Sequence, residues 1–238
     1  LEPYGYYDAE VTPEVVRSGD VVTVVLDVTL GEPVRVRRHE VSVAGAAETD
    51  PAIAALIGGF QPAKGAIFHH GTYETSKAGI SRALGERGYF DAILAAHRVE
   101  VTRADHAADM TLAWTAGNRY LFGPAVFEGS QFEPALLEKV VPWREGEPFD
   151  QAKLLRLQES LSDLDYFNGI QMTPQTDQAS DGKVPVKVSL VPAKRSIYGA
   201  GVSYGTDSGA GVSGHIERRW MNRRGHKALA DANLAEKL

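Results

Sequence analysis

The sequence contains no cysteine among its 238 residues, which excludes disulfide bonds and metal sites built on thiolates. It also lacks any apolar run approaching the roughly 20 residues that a membrane-spanning helix needs. Leu1 stands where the pattern predicts the end of a helix, so we expect the sequence to begin inside a domain rather than at its edge.

Positive charge is scarce before the last fifth of the chain. Residues 193–238 hold 8 Lys/Arg against 4 Asp/Glu, a net charge of +4, so the remainder carries −10 of a total of −6. Nucleic-acid binding needs a clustered basic face, and we therefore expect no nucleic-acid partner. Six of the 19 residues from 196 to 214 are glycine, and this change of composition predicts a boundary near residue 193.

What the sequence does contain is an internal repeat of 76 to 86 residues. "LDVTLGEPVRVRR", from Leu26, aligns without a gap to "LAWTAGNRYLFGP", from Leu112, and "VSLVPAKRSIYG" at 188–199 follows as the next copy. Each copy has the same junction, a residue suited to left-handed backbone followed by two aromatic residues. The three junctions are Gly5-Tyr6-Tyr7, Gly88-Tyr89-Phe90 and Asp165-Tyr166-Phe167. We expect one aromatic of each pair to pack between a helix and a sheet.

Hydrophobic periodicity predicts the order β-α-α-β-β within each full copy. Asp50-Pro51 opens the first helix of one copy, and Asp150 caps the second helix of the next. The earliest copy shows only its final hairpin, at 6–16 and 21–30. The predicted domains are 1–32, the end of a first repeat; 33–117, a second; 118–193, a third; and 194–238, an incomplete set of strands.

The last segment alternates in a different way. Tyr198, Val202 and Tyr204 share one face of a predicted strand, and glycine and serine occupy the other. Such alternation is typical of a membrane β-barrel with a polar lumen. Leu229 breaks it, and a soluble β-sandwich shows a similar pattern, so the alternation by itself leaves both open.

Tandem units of this order, with a Gly-Tyr-Phe junction, resemble POTRA (polypeptide-transport-associated) repeats, which precede the barrels of outer-membrane assembly proteins in the bacterial surface antigen superfamily. "YGAGVSYGTDSGAG" and "RRWMNRRGH" resemble the first barrel strands of the TamA family. The implied fold class is α+β, with tandem POTRA repeats followed by the first antiparallel strands of a transmembrane β-barrel. A complete barrel of this kind has many more strands than this sequence holds.

The resemblance also implies a function. We expect a non-enzymatic part of outer-membrane protein assembly or translocation, located in the bacterial outer membrane with its repeats in the periplasm. The implied partners are an inner-membrane-anchored TamB-type protein, unfolded outer-membrane protein clients such as autotransporters, and outer-membrane lipid; no cofactor is implied. A two-partner-secretion transporter or the essential barrel-assembly protein has the same architecture, and both stay open as alternatives.

Two sets of residues follow as candidate sites. The strand after the second junction, from Phe90 to Val101, is the expected free edge to which a client strand adds, and we assign Phe90, Ala92, Ile93, Leu94, Ala95 and Val99 to it. Tyr198 and Trp220 are expected at the same height at the membrane interface. The basic stretch from Arg218 to His226 is then a periplasmic turn that faces lipid headgroups.

Enzymatic signatures are present, but their context is wrong. "GAGVSG" at 209–214 fits a dinucleotide loop and "GVSYG" at 201–205 fits a nucleophile elbow, yet both motifs require a following helix. A soluble serine hydrolase using Ser203 is kept as a distant alternative. Seven histidines show no metal-binding spacing, and we expect neither a catalytic nor a metal site: His39, His69, His70, His97, His106, His215 and His226.

Overall fold

The computed structural model describes residues 1–205 and 209–235. It divides into two compact units, Leu1–Arg119 and Tyr120–Leu238. Among the described residues, none of the helices combines the length and the apolar character that a membrane-crossing helix requires.

The first unit begins with a two-stranded antiparallel ribbon, β1 (Glu10–Ser18) and β2 (Val21–Thr29), which forms a sheet of its own. The prediction that the first strand starts at residue 6 was wrong, because residues 6–9 precede the ladder. Every residue of both strands is exposed. The strands of the ribbon therefore do not rest on the next repeat; residues 1–8 make the contacts with it.

A three-stranded sheet with two helices follows the ribbon. Its elements are β3 (Arg35–Ala44), α1 (Pro51–Gly58), α2 (His70–Glu86), β4 (Ile93–Thr102) and β5 (Ala107–Thr115). The strand order is β3-β5-β4, so the last strand in sequence is the central one; it runs parallel to β3 and antiparallel to β4.

Alternation along β5 places its apolar side chains against the helices. Ala108, Met110, Leu112 and Trp114 are buried together with Ile80 and Leu84 of α2. The predicted cap of α1 is confirmed, because the Asp50 carboxylate accepts a hydrogen bond from the Ala52 amide at 3.0 Å. A period of two on the strand and of about four on the helix thus builds one core.

The second unit repeats this order with β6 (Leu121–Glu128), α3 (Pro134–Glu138), α4 (Gln151–Asp163), β7 (Phe167–Pro174) and β8 (Lys183–Pro192). The sheet order is β6-β8-β7, again with the last strand in the centre. Leu154, Leu157 and Leu161 of α4 are buried, as their helical spacing predicts. The predicted β-α-α-β-β order is confirmed in both copies.

Three further antiparallel strands complete the described chain: β9 (Ser196–Gly205), β10 (Gly209–Arg218) and β11 (Ala228–Ala235). Their order is β11-β10-β9. From the sequence we also expect the chain to reverse at "TDSG"; Thr206, Asp207 and Ser208 of this stretch lie outside the described residues.

Candidate functional site: the open sheet edge and the helix-to-strand junctions

Strand β4 is an open edge of its sheet. It pairs with β5 on one side, and within residues 1–205 and 209–235 no loop backbone hydrogen-bonds to its other side. The opposite edge strand, β3, is partly covered by the chain before α2. The Val36 amide donates to Ala66 O at 2.9 Å, and the Gly65 amide donates to Val36 O at 2.7 Å. Strand β4 is thus the more accessible edge.

The structure corrects the predicted start of this edge. Phe90 and Ala92 are not in the strand, since the Ala92 amide donates to Tyr89 O at 3.1 Å and closes a turn over residues 89–92. The ladder begins at Ile93, which pairs with Thr115. Phe90 and Ala92 are therefore removed from the candidate edge.

The four remaining edge residues have different surroundings. Leu94 and Val99 pack against the core, whereas Ile93 is 61% exposed and Ala95 is exposed. The register steps from the Leu94–Trp114 pair to the Ala96–Ala113 pair, so Ala95 is the bulged residue without a partner of its own. Ile93 and Ala95 are thus the two exposed residues of the candidate edge.

The corresponding edge of the next sheet is more polar. Strand β7 exposes Asn168, Gln171 and Thr173, and its bulge falls at Asn168. Strand β4 thus differs from β7 in exposing a large apolar side chain, Ile93.

The helix-to-strand junctions share one backbone conformation. Gly5, Gly88 and Asp165 have φ angles of 90°, 86° and 57°, all in the left-handed region. At Gly5 there is also no room for a side chain, since a Cβ there would lie 2.9 Å from Phe68 O. The chain can therefore turn sharply out of the preceding segment at each junction.

At the first junction an aromatic hydroxyl contacts the following repeat. The Tyr7 hydroxyl lies 2.6 Å from His70 Nε2, and the Arg103 guanidinium lies 5.6 Å from the centroid of the Tyr7 ring. Arg103 also forms an ion pair with Glu2 at 2.7 Å. Partial burial raises the pKa of Tyr7, so its hydroxyl stays protonated at neutral pH. These contacts attach residues 1–8 to the repeat.

At the second junction the first aromatic residue, Tyr89, makes its contacts within its own repeat. Tyr89 is buried, and its hydroxyl donates to the Asp50 carboxylate at 3.2 Å. Asp50 is 5% exposed and also accepts from Arg87 Nε at 2.7 Å. Burial alone would raise the pKa of Asp50, but the hydrogen bonds from Arg87, the Ala52 amide and Tyr89 outweigh it and hold the pKa below its ordinary value. Burial raises the pKa of Tyr89.

The third junction holds the segment from residue 218 to 227, which we call the basic turn. The Tyr166 hydroxyl donates to Gly225 O at 2.7 Å, and the Lys227 ammonium lies 4.9 Å from the centroid of the Tyr166 ring. Asp165, which occupies the glycine position of the other junctions, accepts from Arg219 Nε at 2.8 Å. The Tyr166 and Phe167 side chains are both buried.

Trp220 packs beside the third junction and does not lie at the same height as Tyr198. The prediction that both residues lie at one height was therefore wrong. Tyr198 pairs with Ile216, and β10 ends two residues later, before the chain reaches Trp220. The Trp220 ring packs edge-on against Phe132, with centroids 6.0 Å apart, and Arg195 donates to Trp220 O at 3.1 Å. These contacts draw the tryptophan onto the repeat.

The sheet β9–β11 has two chemically different faces. The strand register places one set of exposed apolar side chains on the same face: Tyr198, Val202, Tyr204, Val212, Ile216 and Leu234. The other face carries glycines, serines and a His215–Asp231 pair at 2.5 Å. Leu229 lies on this polar face, opposite Glu217, as the break in the alternation predicts.

The enzymatic motifs have no catalytic context in this fold. Residues 209–214 lie in β10 and do not open a helix, and Ser203 lies in β9, opposite Gly211. Over the described parts of the chain, no three potential ligands among histidine, aspartate and glutamate come together as a metal site.

Sequence reasoning missed the partners of the junctions, although one signal was available. Asp165 stands where the other copies have glycine, and an aspartate in left-handed backbone suggests a side-chain contact. Nothing local to His70, Arg103 or Arg219 distinguishes them from other surface residues, because their partners are 63, 101 and 54 positions away.

Each of the two repeats has a three-stranded sheet, whose central strand is parallel to one neighbour and antiparallel to the other, and two helices. Two such repeats followed by antiparallel strands define a POTRA-type architecture. Residues 120–193 match the POTRA family, described as "Surface antigen variable number repeat". That segment is similar to a POTRA repeat, and residues 35–115 have the same strand order and connectivity as it.

Solved structures show the same fold. BamA from Haemophilus ducreyi lacking POTRA domains 1-3 is 17% identical, with a TM-score of 0.67 over 84% of this chain and 37% of that one. Haemophilus influenzae BamA POTRA3-5 is 19% identical, with a TM-score of 0.50 over 79% of this chain and 74% of that one. The chain thus spans little more than a third of the first structure. The likeness shows the fold of POTRA repeats followed by the first strands of a barrel.

Proposed function

We propose that this chain is the repeat arm and barrel start of a protein that inserts or secretes outer-membrane proteins, with β9–β11 in the outer membrane and the repeats in the periplasm. One observation carries the proposal: only three residues after Pro192, at the end of a POTRA repeat, the chain continues into an antiparallel sheet with one exposed apolar face. Val202 on that face is 89% exposed, and such a face is stable in lipid but costly in water.

The chemical role of the repeats is to hold an unfolded client in extended form. The open side of β4 presents unpaired backbone groups, and main-chain bonding there accepts many sequences. Ile93 adds an apolar contact beside the backbone bonds. Neither step requires a cofactor or a catalytic side chain, so the proposed role is non-enzymatic.

Within this class we propose a TamA-type role, with autotransporter-type clients and an inner-membrane-anchored TamB-type partner. The support is the resemblance of "YGAGVSYG" and "RRWMNRRGH" to that family's first strands. Two-partner secretion and the essential barrel-assembly role are the alternatives. Affinity purification of the full-length protein from cells distinguishes them, because the TamA-type role requires co-purification of a large inner-membrane-anchored protein.

Replacing Ala95 by proline in the full-length protein tests the strand-binding edge. Proline removes an N–H and blocks a ladder, and position 95 has no partner of its own in β5, so the sheet should stay folded. We expect cross-linking of unfolded outer-membrane clients, through a photoreactive residue at Ile93, to fall about tenfold, as expected for a loss of roughly 1.4 kcal/mol of main-chain bonding.

The matched control is Ala95→Ser, which keeps the N–H and should retain cross-linking. A photoreactive residue at Leu56, an exposed position on α1, sets the background for non-specific capture. Equal cross-linking in the proline and serine variants, with both repeats folded by circular dichroism, would retire β4 as the client site.

A further inference from the structure

The apolar face of β9–β11 ends in an arginine. On β10 the side chains of Val212, Ile216 and Arg218 share one face, and Arg218 is the last paired residue, opposite Ser196 and Ala228. Arg218 is exposed and forms no ion pair with any carboxylate of the described residues. A row of exposed apolar side chains therefore terminates in an uncompensated guanidinium group.

Two more free guanidinium groups follow in the basic turn. Arg223 and Arg224 are exposed and likewise have no carboxylate partner within the part of the chain that the structure describes. Arg195 and Arg219 differ, because they are used to hold the turn: Arg195 donates to Met221 O at 2.7 Å, and Arg219 pairs with Asp165. Arg195 and Arg219 thus stabilise the turn, whereas Arg218, Arg223 and Arg224 have no carboxylate partner among the described residues.

The backbone that carries the free arginines is fixed in place. The Glu133 amide donates to Arg223 O at 3.1 Å, and the Asn222 side chain accepts from the Arg224 amide at 3.0 Å. The Tyr166 hydroxyl holds Gly225 from the repeat. Positions 223 and 224 are therefore anchored on both sides, and less conformational entropy is lost when a ligand binds.

We infer that the basic turn binds the headgroup of an anionic phospholipid, with the phosphate on Arg218, further charge on Arg223 and Arg224, and the acyl chains along Val212 and Ile216. This deepens the proposed function and rests on it, because it requires β9–β11 to lie in a bilayer. Arginine suits the role, since its planar guanidinium pairs with phosphate in two hydrogen bonds. An amphipathic ligand matches an apolar row that ends in cations, whereas a free anion would use the cations alone.

The test uses the full-length protein in neutral detergent, mixed with equal amounts of phosphatidylglycerol and phosphatidylcholine, and native mass spectrometry of the bound lipid. We expect phosphatidylglycerol to be retained preferentially. Arg218→Gln should lower that preference about fivefold, the factor that corresponds to about 1 kcal/mol per cation near an anionic surface. Arg218→Lys keeps the charge but loses the paired hydrogen bonds, so it should keep only part of the preference. Arg82→Gln, which replaces an exposed arginine on α2, should change nothing.

Several results would overturn the inference. Equal retention of the two lipids, an unchanged preference in Arg218→Gln, or displacement of the lipid by excess inorganic phosphate would each exclude a lipid-headgroup site. A full-length protein that stays monodisperse without detergent would overturn the membrane placement, and with it the proposed function and this inference together. A detergent-bound protein without lipid preference overturns this inference alone.

Discussion

One backbone position turns the chain at all three junctions. The residue that turns each junction is glycine in two copies and Asp165 in the third, and all three adopt positive φ. Aspartate is less suited to that region than glycine. What it adds is a carboxylate that pairs with Arg219 at 2.8 Å. The third copy therefore has a less favourable residue for left-handed backbone but gains a side-chain contact with the basic turn.

Asp165→Gly separates these two effects. The substitution relieves the backbone but removes an exposed ion pair, which is worth up to about 1 kcal/mol. We expect the amides of the basic turn to exchange hydrogen up to about fivefold faster, while repeat three keeps its unfolding free energy or gains slightly. Hydrogen exchange with mass spectrometry checks this.

Asp165→Asn is the control, because asparagine also tolerates left-handed backbone but carries no charge. It should speed exchange in the basic turn as much as glycine does. If neither variant changes the exchange of residues 219–226, the ion pair does not hold the turn.

Asp50 predicts an acid-dependent stability of the first unit. Its folded-state pKa is depressed, so below about pH 4, the ordinary value of an aspartate, the unfolded state binds more protons. The stabilisation from Asp50 is present above that value and is lost as the pH falls through the lower, folded-state pKa. Asp50→Asn keeps the helix cap but loses the charged hydrogen bonds, at a cost of about 2–3 kcal/mol near pH 7.

Denaturant unfolding of wild type and Asp50→Asn near pH 7 and near pH 3 measures this dependence. The difference between the two proteins should shrink at the lower pH. Asp150→Asn, a half-buried cap on α4 whose carboxylate has one backbone partner, is the matched control and should show a small difference at both values. A constant gap for Asp50 would show that its charge contributes nothing.

Among the elements, those with strong periodicity were predictable from the sequence and those with special loop contacts were not. Leu154, Leu157 and Leu161 predict α4, and Met110, Leu112 and Trp114 predict β5, because burial of one face dictates the period. The start of β4 was placed too early, since "FDAILAAH" carries no strong alternation and the turn over 89–92 depends on one backbone hydrogen bond.

The candidate site also has features that the sequence predicts and features that it does not. Its edge position follows from strand order, which the repeat resemblance implies. The bulge at Ala95 and the position of Trp220 depend on register and on contacts with Phe132 and Arg195. A local pattern carries no information about partners 25 or more residues away, so these features required coordinates.

At the scale of the whole molecule, the division into repeats stays a prediction with a direct test. A fragment covering 118–193 contains a complete core, including Phe122, Phe149, Leu157 and Val186. We expect it to unfold in one cooperative transition. A fragment covering 1–32 has only exposed strand residues and should be unfolded in water.

Circular dichroism during a urea titration of each fragment measures both expectations. A 118–193 fragment that melts gradually would show that the third repeat depends on its neighbours. A well-formed hairpin in the 1–32 fragment would show that the ribbon needs no support.

The central position of the last strand in each repeat also determines when its sheet can form during folding. Strands β3 and β4 do not pair with each other; both pair with β5, which is the last of the three in sequence. When the chain is delivered from its N-terminus, during synthesis or during export, the repeat has no sheet until the nine residues of β5 arrive. Parallel pairing over so long a separation is slow to form, and until then both outer strands expose unpaired backbone. A repeat of this design therefore closes in one late step, and a holding factor that binds extended chain has its greatest effect just before that step.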